Sequence, residues 1–336
     1  MQMSIQTQAK TMTWQRELAA SITEPVQLLS SLGLPIDTFS DIARQDFPLR
    51  VTHSFLKRMR RGDPNCPLLK QVLPIHAETI SPADFSHDPL QEQAFNPKPG
   101  VLHKYHGRVL LTVSGGCAIN CRYCFRRHFP YADNLPGKEN WQASLDYIAA
   151  DPSISEVILS GGDPLVATDK QLARLATAIA AIPHVTTLRI HTRLPIVLPS
   201  RICDSLLSWL AALPLSVIVV VHCNHPAEIN AEVAAAIAQL RQQGIVVMNQ
   251  TVLLKGINDS SEILTTLSRS LWSIGVLPYY IHMLDKVSGA HHFAVSRETA
   301  LCLERDMRAR LSGYLMPRFV VEQPGAASKQ PLVDIS

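Results

Sequence analysis

Residues 116–125 read Gly-Cys-Ala-Ile-Asn-Cys-Arg-Tyr-Cys-Phe, and the apolar run Arg108–Ser114 stands just before them. The run has the length and composition of a buried strand, and the glycines after it mark a strand-end loop. In a barrel of βα units, the loops at the carboxyl ends of the strands form the active-site mouth. We therefore expect the three cysteines at that mouth.

The chain beyond this segment alternates short apolar runs with amphipathic helical stretches, which is typical of βα units and a parallel sheet. About six strands are predicted, and their apolar residues suit strands buried on both faces. They are Arg108–Ser114, Ser155–Ser160, Val185–His191, Leu215–His222, Ile245–Val252 and Leu277–Met283. A closed barrel has eight such units, so the predicted fold is an α/β, open, partial β/α barrel.

The same reasoning divides the chain into three segments. Residues 1–100 are predicted to form a helical N-terminal region that packs on the barrel, with helix-like clusters at Pro25–Leu34 and Phe55–Arg61. Residues 101–295 form the barrel, and residues 296–336 form a C-terminal helix and a segment with a candidate lysine. Within the barrel, apolar residues recur at helical spacing. They are Leu172, Leu175, Ile179 and Ile182, and then Val233, Ile237 and Leu240 before Gly244, a candidate helix-ending glycine.

Composition narrows the class of protein. The chain has 336 residues and a formal charge of only +3, and its one basic run, at 57–61, reads first as a solvated helix face, so nucleic acid is not an expected partner. The N-terminus lacks the apolar core of a secretory signal, and no later stretch reaches the roughly 18 apolar residues of a membrane span. We expect a cytoplasmic protein without a membrane partner.

The cysteines favour a metal centre. The chain has seven, an odd number, and three of them form Cys117-x3-Cys121-x2-Cys124. Such clustering suits metal ligation in a reducing compartment better than a disulfide framework. Three thiolates can hold three irons of a [4Fe–4S] cluster and leave the fourth iron open to a small molecule. A structural zinc site in a non-catalytic protein is the alternative, and it would need a fourth ligand such as His128.

A lysine near the C-terminus is a second candidate functional group. Residues 325–329 read Gly-Ala-Ala-Ser-Lys. A lone lysine in such a tail is usually solvated. Alternatively, a loop of small residues lets the amine of Lys329 reach an aldehyde and form a Schiff base with pyridoxal phosphate.

The cysteine spacing is the signature of radical S-adenosylmethionine (SAM) enzymes, which the chain resembles. The resemblance implies that the amino and carboxylate groups of SAM chelate the open iron. It also implies that Gly161, Gly162 and Asp163 lie at the methionine moiety, although Gly-Gly-Asp-Pro alone would read as an ordinary strand-to-helix turn. His222 and Gln250 would contact SAM in the same way.

From about Cys66 to Pro331, the chain is similar to the lysine 2,3-aminomutase family, most of all to its shorter members that supply β-lysine for modification of elongation factor P. The similarity rests on several ordered motifs. They are 102–108, 117–131, 160–165, 189–195, 222–226, 249–254 and 279–293.

This resemblance implies a role for further residues. Lys329 would carry pyridoxal phosphate, and Tyr105 and Arg108, together with Lys104, would lie at its phosphate. Arg126 would bind the substrate carboxylate. The distal ammonium of lysine would face Asp285 and Glu322, since a buried cation needs carboxylate partners.

The predicted activity is therefore the conversion of free L-α-lysine to β-lysine by radical 2,3-amino migration, with an external electron donor. Arginine as substrate stays an alternative, whereas glutamate is disfavoured because Asp285 and Glu322 would repel its distal carboxylate. The product would pass to the ligase that acts on elongation factor P. Longer family members have an aspartate at the position of Glu322 and a glycine run at residues 325–328, so the distal contact and the loop conformation are points to test.

Overall fold

The computed structural model describes residues 13–135 and 141–332, and a nine-stranded sheet forms within them. Across the sheet the strands follow chain order: β1 (Val101–Tyr105), β2 (Arg108–Ser114), β3 (Glu156–Gly161), β4 (Thr187–Thr192), β5 (Ser216–His222), β6 (Val246–Val252), β7 (Leu277–His282), β8 (Arg318–Val321) and β9 (Gln330–Pro331). Strands β2 to β8 are parallel, while β1 and β9 are antiparallel to their neighbours at the two edges. The two edges do not pair, so the predicted open barrel is confirmed.

All six predicted strands are present, and β2 has the predicted bounds. Strands β1, β8 and β9 are not among the predicted ones. β9 has only two residues and β8 four, which is too short for an apolar run to be recognised. In β1, the polar residues Lys104 and Tyr105 line a cavity and interrupt the apolar pattern.

Thirteen α-helices lie in the described residues. Five precede the sheet: α1 (Trp14–Ala19), α2 (Pro25–Leu32), α3 (Asp41–Asp46), α4 (His53–Leu56) and α5 (Pro67–Lys70). Eight accompany the strands: α6 (Tyr131–Asn134), α7 (Gln142–Ala150), α8 (Asp169–Ala180), α9 (Leu194–Val197), α10 (Asp204–Ala211), α11 (Ala231–Gln242), α12 (Ser261–Ser273) and α13 (Arg297–Arg310). The cluster at 55–61 forms only the single turn α4, whereas Pro25–Leu34 corresponds to α2.

Local signals explain where the barrel helices begin and end. Thr168 begins α8 with a capping box, in which its hydroxyl accepts from the backbone N–H of Gln171. The predicted apolar stripe of α8 is buried, with Leu172 and Ile179 fully inaccessible. After α11, Gly244 adopts φ +73°, the left-handed conformation in which glycine ends a helix without strain.

The N-terminal region packs against the cysteine segment through a buried ion-pair cluster. Arg122, between two of the cysteines, is fully buried and binds Glu78 through Nε and Nη2 at 2.5–3.0 Å. Arg127 also binds Glu78, at 3.0 Å. Removing one partner of such a buried cluster leaves an uncompensated charge and costs about 3–5 kcal/mol. The N-terminal region thus fixes the cysteine loop in place.

Residues 1–12 and 333–336, which belong to the first and last predicted segments, lie outside the described residues. The segment boundaries themselves stay a prediction. Within residues 13–135 and 141–332, no helix combines the length and the apolar character needed to cross a membrane.

Candidate active site

A cavity of about 750 Å³ is lined by residues all along the parallel strands, from Arg108 and Glu156 at the amino ends to the loops at the carboxyl ends. Its volume is in the range of small-molecule and cofactor sites. Apart from His128 of the zinc alternative, every residue to which the sequence or the resemblance assigns a role lines it: Lys104, Tyr105, Arg108, Cys117, Cys121, Cys124, Arg126, Gly161, Gly162, Asp163, His222, Gln250, Asp285, Glu322 and Lys329. The fold thus brings together residues that lie far apart along the chain.

The three cysteines lie in one loop after β2. Burial raises the pKa of the Cys117 thiol well above its usual range, and the neighbouring Cys124 raises this pKa further. Burial and Cys121 raise the pKa of Cys124 to about 11. A bound metal centre deprotonates such thiols and neutralises their charge. The donor set therefore fits an iron–sulfur cluster.

The arrangement does not favour zinc with His128 as the fourth ligand. His128 does not line the cavity; its ring stacks on His87 with 4.1 Å between centroids, and its Nε2 lies 3.3 Å from the carbonyl oxygen of Ser288. No group of three or more His, Cys, Asp or Glu side chains in the described residues is arranged around a single ion. In a cubane cluster each cysteine binds a different iron, so the loop's cysteines need not converge on one point.

The glycines after β3 allow the cysteine loop to pass against that strand. A Cβ on Gly161 would lie 2.5 Å from the carbonyl oxygen of Ser114, and one on Gly162 would lie 2.5 Å from that of Gly116. The backbone of Gly161 also has φ +119°, which favours glycine. Only glycine fits at these two positions because two backbone segments approach each other closely there.

Asp163 connects the loops after β3 and β4. Its Oδ1 accepts from the hydroxyl of Thr192 at 2.7 Å, and its Oδ2 accepts from the backbone N–H of Arg193 at 2.7 Å. Burial raises the pKa of this carboxyl to about 6. Because protein donors occupy both oxygens, the side chain positions the two loops beside the cavity.

Three half-buried histidines line the cavity, and the inaccessible Nε2 atoms of His191, His222 and His282 have no hydrogen-bond partner among the described residues. Burial, followed by the charge of Arg193, lowers the pKa of His222 to about 4, so its ring is neutral at pH 7. Buried polar atoms are normally paired. Unpaired ring nitrogens on a cavity wall therefore fit a site that binds a polar ligand.

The candidate lysine lies at the base of a hairpin and not at its small-residue tip. Val321 of β8 pairs with Gln330 of β9, so Glu322 and Lys329 are the next residues across the hairpin. The Nζ of Lys329 donates to Oε2 of Glu322 at 2.6 Å. The lysine is thus held in a defined place on the cavity wall, where loop flexibility is not needed to bring it there.

Glu322 is the centre of a small charged network. Its Oε1 accepts from Nζ of Lys104 and from the hydroxyl of Tyr105, each at 3.0 Å. Although burial acts in the opposite direction, the ammonium groups of Lys329 and Lys104 lower the pKa of Glu322 to about 2. The carboxylate is therefore ionised at neutral pH and already paired with two protein cations.

Two charged groups on the cavity wall, Arg108 and Asp285, have no such partner. The guanidinium of Arg108 stacks on the ring of Tyr105 at 4.9 Å and makes no ion pair within the described residues. The carboxyl of Asp285 makes no side-chain hydrogen bond there either. Burial, followed by the negative charge of Glu322, raises the pKa of Asp285 to about 7. A cationic group bound next to Asp285 would favour its ionised form.

Arg126 is buried and largely occupied. Its Nε and Nη2 donate to the two oxygens of Glu92 at 2.8 and 2.7 Å, a bidentate pair. Its Nη1 donates to Ser160 Oγ at 3.2 Å and to the carbonyl oxygen of Gly161 at 3.3 Å. Glu92, which no sequence motif singles out, thus holds two of the five guanidinium N–H groups.

The chain is similar in sequence to known proteins. The sequence model of the Radical SAM superfamily matches residues 111–267. The L-lysine 2,3-aminomutase of Escherichia coli K12 is 48% identical over 322 residues, 95% of this chain and 94% of that protein. The chain belongs to the L-lysine 2,3-aminomutase family. Further relatives of that name come from Haemophilus influenzae (46% identity; 94% of each chain) and Clostridium subterminale (36% identity; 85% of this chain and 68% of that one).

As a radical SAM enzyme and an isomerase, this aminomutase family member uses a [4Fe–4S] cluster and SAM. The family assignment sets the zinc-binding alternative aside. It also accounts for the position of the cysteine loop, since the matched superfamily region begins within β2 and includes the strands up to β6.

Sequence reasoning missed several residues of the aminomutase cavity. Glu92 lies in a one-turn 3₁₀ helix, Glu92–Phe95, whose sequence carries no signal for an active site. Arg193 and Asn224 each follow a strand end, at the carboxyl side of β4 and β5, and both line the cavity. Polar residues within two positions of a parallel strand's carboxyl end include these two but not Glu92.

Proposed function

We propose that this radical SAM aminomutase converts free L-α-lysine to β-lysine by moving the α-amino group to the neighbouring carbon. The observation that carries the proposal is that the three cysteines, the amine of Lys329 and the unpaired carboxyl of Asp285 line one cavity. The proposal is supported by two relatives named L-lysine 2,3-aminomutase, since this chain aligns with 94% of the length of each.

Cys117, Cys121 and Cys124 are proposed to hold the cluster, and its open iron to bind SAM. The glycines 161 and 162 keep the cysteine loop close to the end of β3, with Asp163 fixing the next loop. The unpaired, neutral ring nitrogen of His222 supports its assignment to SAM, as does the position of Gln250 on the same wall.

Pyridoxal phosphate is the third cofactor that we propose, bound covalently to Lys329. Arg108 has a guanidinium without an acidic partner in the described part of the chain, and such a group suits a phosphate. Tyr105 stands beside it but donates its hydroxyl to Glu322. When bound, the cluster with SAM supplies a radical that breaks a C–H bond, and pyridoxal phosphate carries the migrating nitrogen.

For the substrate, we propose that Asp285 receives the distal ammonium of lysine, with Glu322 adding negative charge nearby. Glu322 is already paired with Lys104 and Lys329, so Asp285 is the carboxyl that a new cation would stabilise. Arg126 is proposed to bind the α-carboxylate through the second N–H of Nη2, since Glu92, Ser160 and Gly161 engage its other donors. A glutamate side chain would meet two carboxylates and be repelled. Arginine carries the right charge and stays the alternative substrate.

The remaining proposals concern what the protein groups do during turnover. Because the pKa of Glu322 is about 2, its carboxylate orients the Lys329 amine without taking a proton from it. The carboxyl of Asp285, with a pKa of about 7, can hold or release a proton at neutral pH, so it can lose its proton when a cation arrives. The enclosing strand-end loops position the reacting groups and exclude water.

We further propose a cytoplasmic location, because all seven cysteines are unpaired. An external one-electron donor would reduce the cluster. Delivery of β-lysine to the ligase that modifies elongation factor P is proposed from the sequence resemblance alone.

The test is anaerobic turnover by the reconstituted protein with SAM, pyridoxal phosphate and a strong reductant, and with lysine, arginine, Nε-acetyllysine or glutamate as substrate. We expect a β-amino acid from lysine and none from acetyllysine, whose distal nitrogen is uncharged. Asp285→Asn should lose most activity, while Asp306→Asn, an exposed acid on α13, should keep it. Turnover of arginine in place of lysine, or equal turnover of acetyllysine, would overturn the substrate assignment.

A further inference from the structure

Arg193 contacts the cysteine loop from outside the set of residues assigned above. It follows the last residue of β4, and its backbone N–H is held by Oδ2 of Asp163 at 2.7 Å. Its Nη1 donates to Sγ of Cys121 and to the hydroxyl of Tyr123, each at 2.7 Å. The side chain is nearly inaccessible, with 6% relative exposure. The Arg193 guanidinium thus donates a hydrogen bond to the sulfur of a candidate cluster ligand.

The other side of Arg193 is fixed by a buried polar network. Its Nη2 donates to Oε2 of Glu228 at 2.9 Å and to Oε1 of Gln71 at 2.7 Å. Glu228 and Gln71 are both fully inaccessible. Oε1 of Glu228 also accepts from the backbone N–H of Asn224 at 3.0 Å. The guanidinium is therefore held in place by protein contacts that do not depend on a ligand in the cavity.

We propose that Arg193 is a positioning residue that fixes Cys121 and raises the reduction potential of the [4Fe–4S] cluster, with Glu228 limiting the increase. The inference rests on the proposed function only in taking Cys121 as a cluster ligand. Arg193 does not act on the substrate, and its effect is on how readily the cluster accepts an electron.

The physical reason is the charge that reduction adds. One electron from an external one-electron donor enters the cluster and makes it more negative by one charge, and no bond is made or broken. Hydrogen bonds to cysteine sulfurs and nearby charges set the potential of such clusters. A guanidinium on a sulfur stabilises the more negative, reduced form, whereas the carboxylate of Glu228, on the far side of the guanidinium, opposes it.

The test is a redox titration of the reconstituted, SAM-free protein, in which electron paramagnetic resonance reports the fraction of reduced cluster. For Arg193→Gln we expect the reduced-to-oxidised ratio at a fixed potential to fall about tenfold, which for a one-electron couple is about 59 mV. Arg193→Lys keeps the charge but cannot hold both Cys121 and Glu228, so a smaller decrease is expected. Glu228→Gln should shift the potential in the opposite direction.

Arg193→Gln leaves Glu228 buried without a cation and so risks misfolding. The double variant Arg193→Gln/Glu228→Gln removes both charges together and should still titrate at a lower potential, because the nearer group dominates. Arg201→Lys is the matched control: Arg201 is also fully buried, binds Asp169 at 2.7 Å and does not line the cavity. The reduction potential of the cluster in Arg201→Lys should equal that in the wild type.

A lower potential in the single and double Arg193 variants, with wild-type iron content and an unchanged Arg201→Lys control, supports the proposal. An unchanged potential in both Arg193 variants with full iron content overturns it. The ligand assignment is tested separately by Cys121→Ala, which should lose the spectrum of the three-cysteine cluster. If Cys121→Ala assembled the same cluster, the proposed function would fail at Cys121, whatever the potential of the Arg193 variants.

Discussion

Asp285 offers the sharpest test of the electrostatics of the cavity. Burial and the neighbouring Glu322 raise its pKa from 3.8 to about 7. A difference of that size corresponds to about 4 kcal/mol between the ionised and the neutral carboxyl. Because the side chain is only partly buried, we take this value as the upper limit.

The sign follows from proton linkage. In the folded state the Asp285 carboxyl keeps its proton up to a pH near 7, whereas in the unfolded chain it loses the proton near pH 4. This group therefore lowers the free energy of unfolding as pH rises between these values. Asp285→Asn should therefore be more stable than the wild type at pH 8, by about 2–4 kcal/mol after allowance for partial exposure. The difference should vanish toward pH 4.

The assay is urea unfolding of the cofactor-loaded, substrate-free protein at several pH values, with Asp306→Asn as the exposed control. In parallel, the KM for lysine should fall as pH rises through 7, since the ionised carboxylate binds the ammonium. In Asp285→Asn, the KM should no longer depend on pH in this way. Its kcat/KM should fall at least about 30-fold, which corresponds to a free energy of about 2 kcal/mol. Equal stability of Asp285→Asn and wild type at pH 8 would show that Asp285 is not protonated in the folded protein at neutral pH.

Three further outcomes are expected. Lys329→Ala should lose pyridoxal absorbance and keep the cluster spectrum, while Cys121→Ala should do the reverse; loss of both cofactors in either folded variant would contradict two separable sites. Gly162→Ala should lower iron content because its Cβ would lie 2.5 Å from a backbone oxygen of the cysteine loop, whereas Gly313→Ala, with no atom within 4 Å, should not. Glu78→Gln should cost about 3–5 kcal/mol in unfolding free energy by leaving two buried arginines short of an anion, and a loss under 1 kcal/mol would contradict the buried-cluster account.

The central strands and the cysteine loop could be predicted from the sequence because both are local. The apolar run of β2 is long enough to mark its own ends, and the cysteine spacing by itself indicates a metal centre. Strand β8, with four residues, lacks such a signal. Its pairing with β9 is what brings Glu322 and Lys329 together, and two-residue strands cannot be recognised by pattern.

The partners of the charged residues could not be predicted, since they depend on contacts between distant parts of the chain. The resemblance assigns Arg126 to the substrate carboxylate, but its bidentate contact with Glu92 comes from a turn that precedes the barrel. The resemblance also assigns Glu322 to the distal ammonium, but the hairpin pairs it with Lys329. Sequence patterns identify which charges face the cavity and leave open which of them are already neutralised.

In the proposed reaction, one cavity keeps the nitrogen of lysine while it moves between neighbouring carbons. The most direct measurement is turnover of lysine with a heavy-isotope label on its α-nitrogen, with mass spectrometry of the product and of released ammonia. We expect β-lysine that retains the label on the β-carbon, with no labelled ammonia. Labelled ammonia, or β-lysine without the label, would contradict the account.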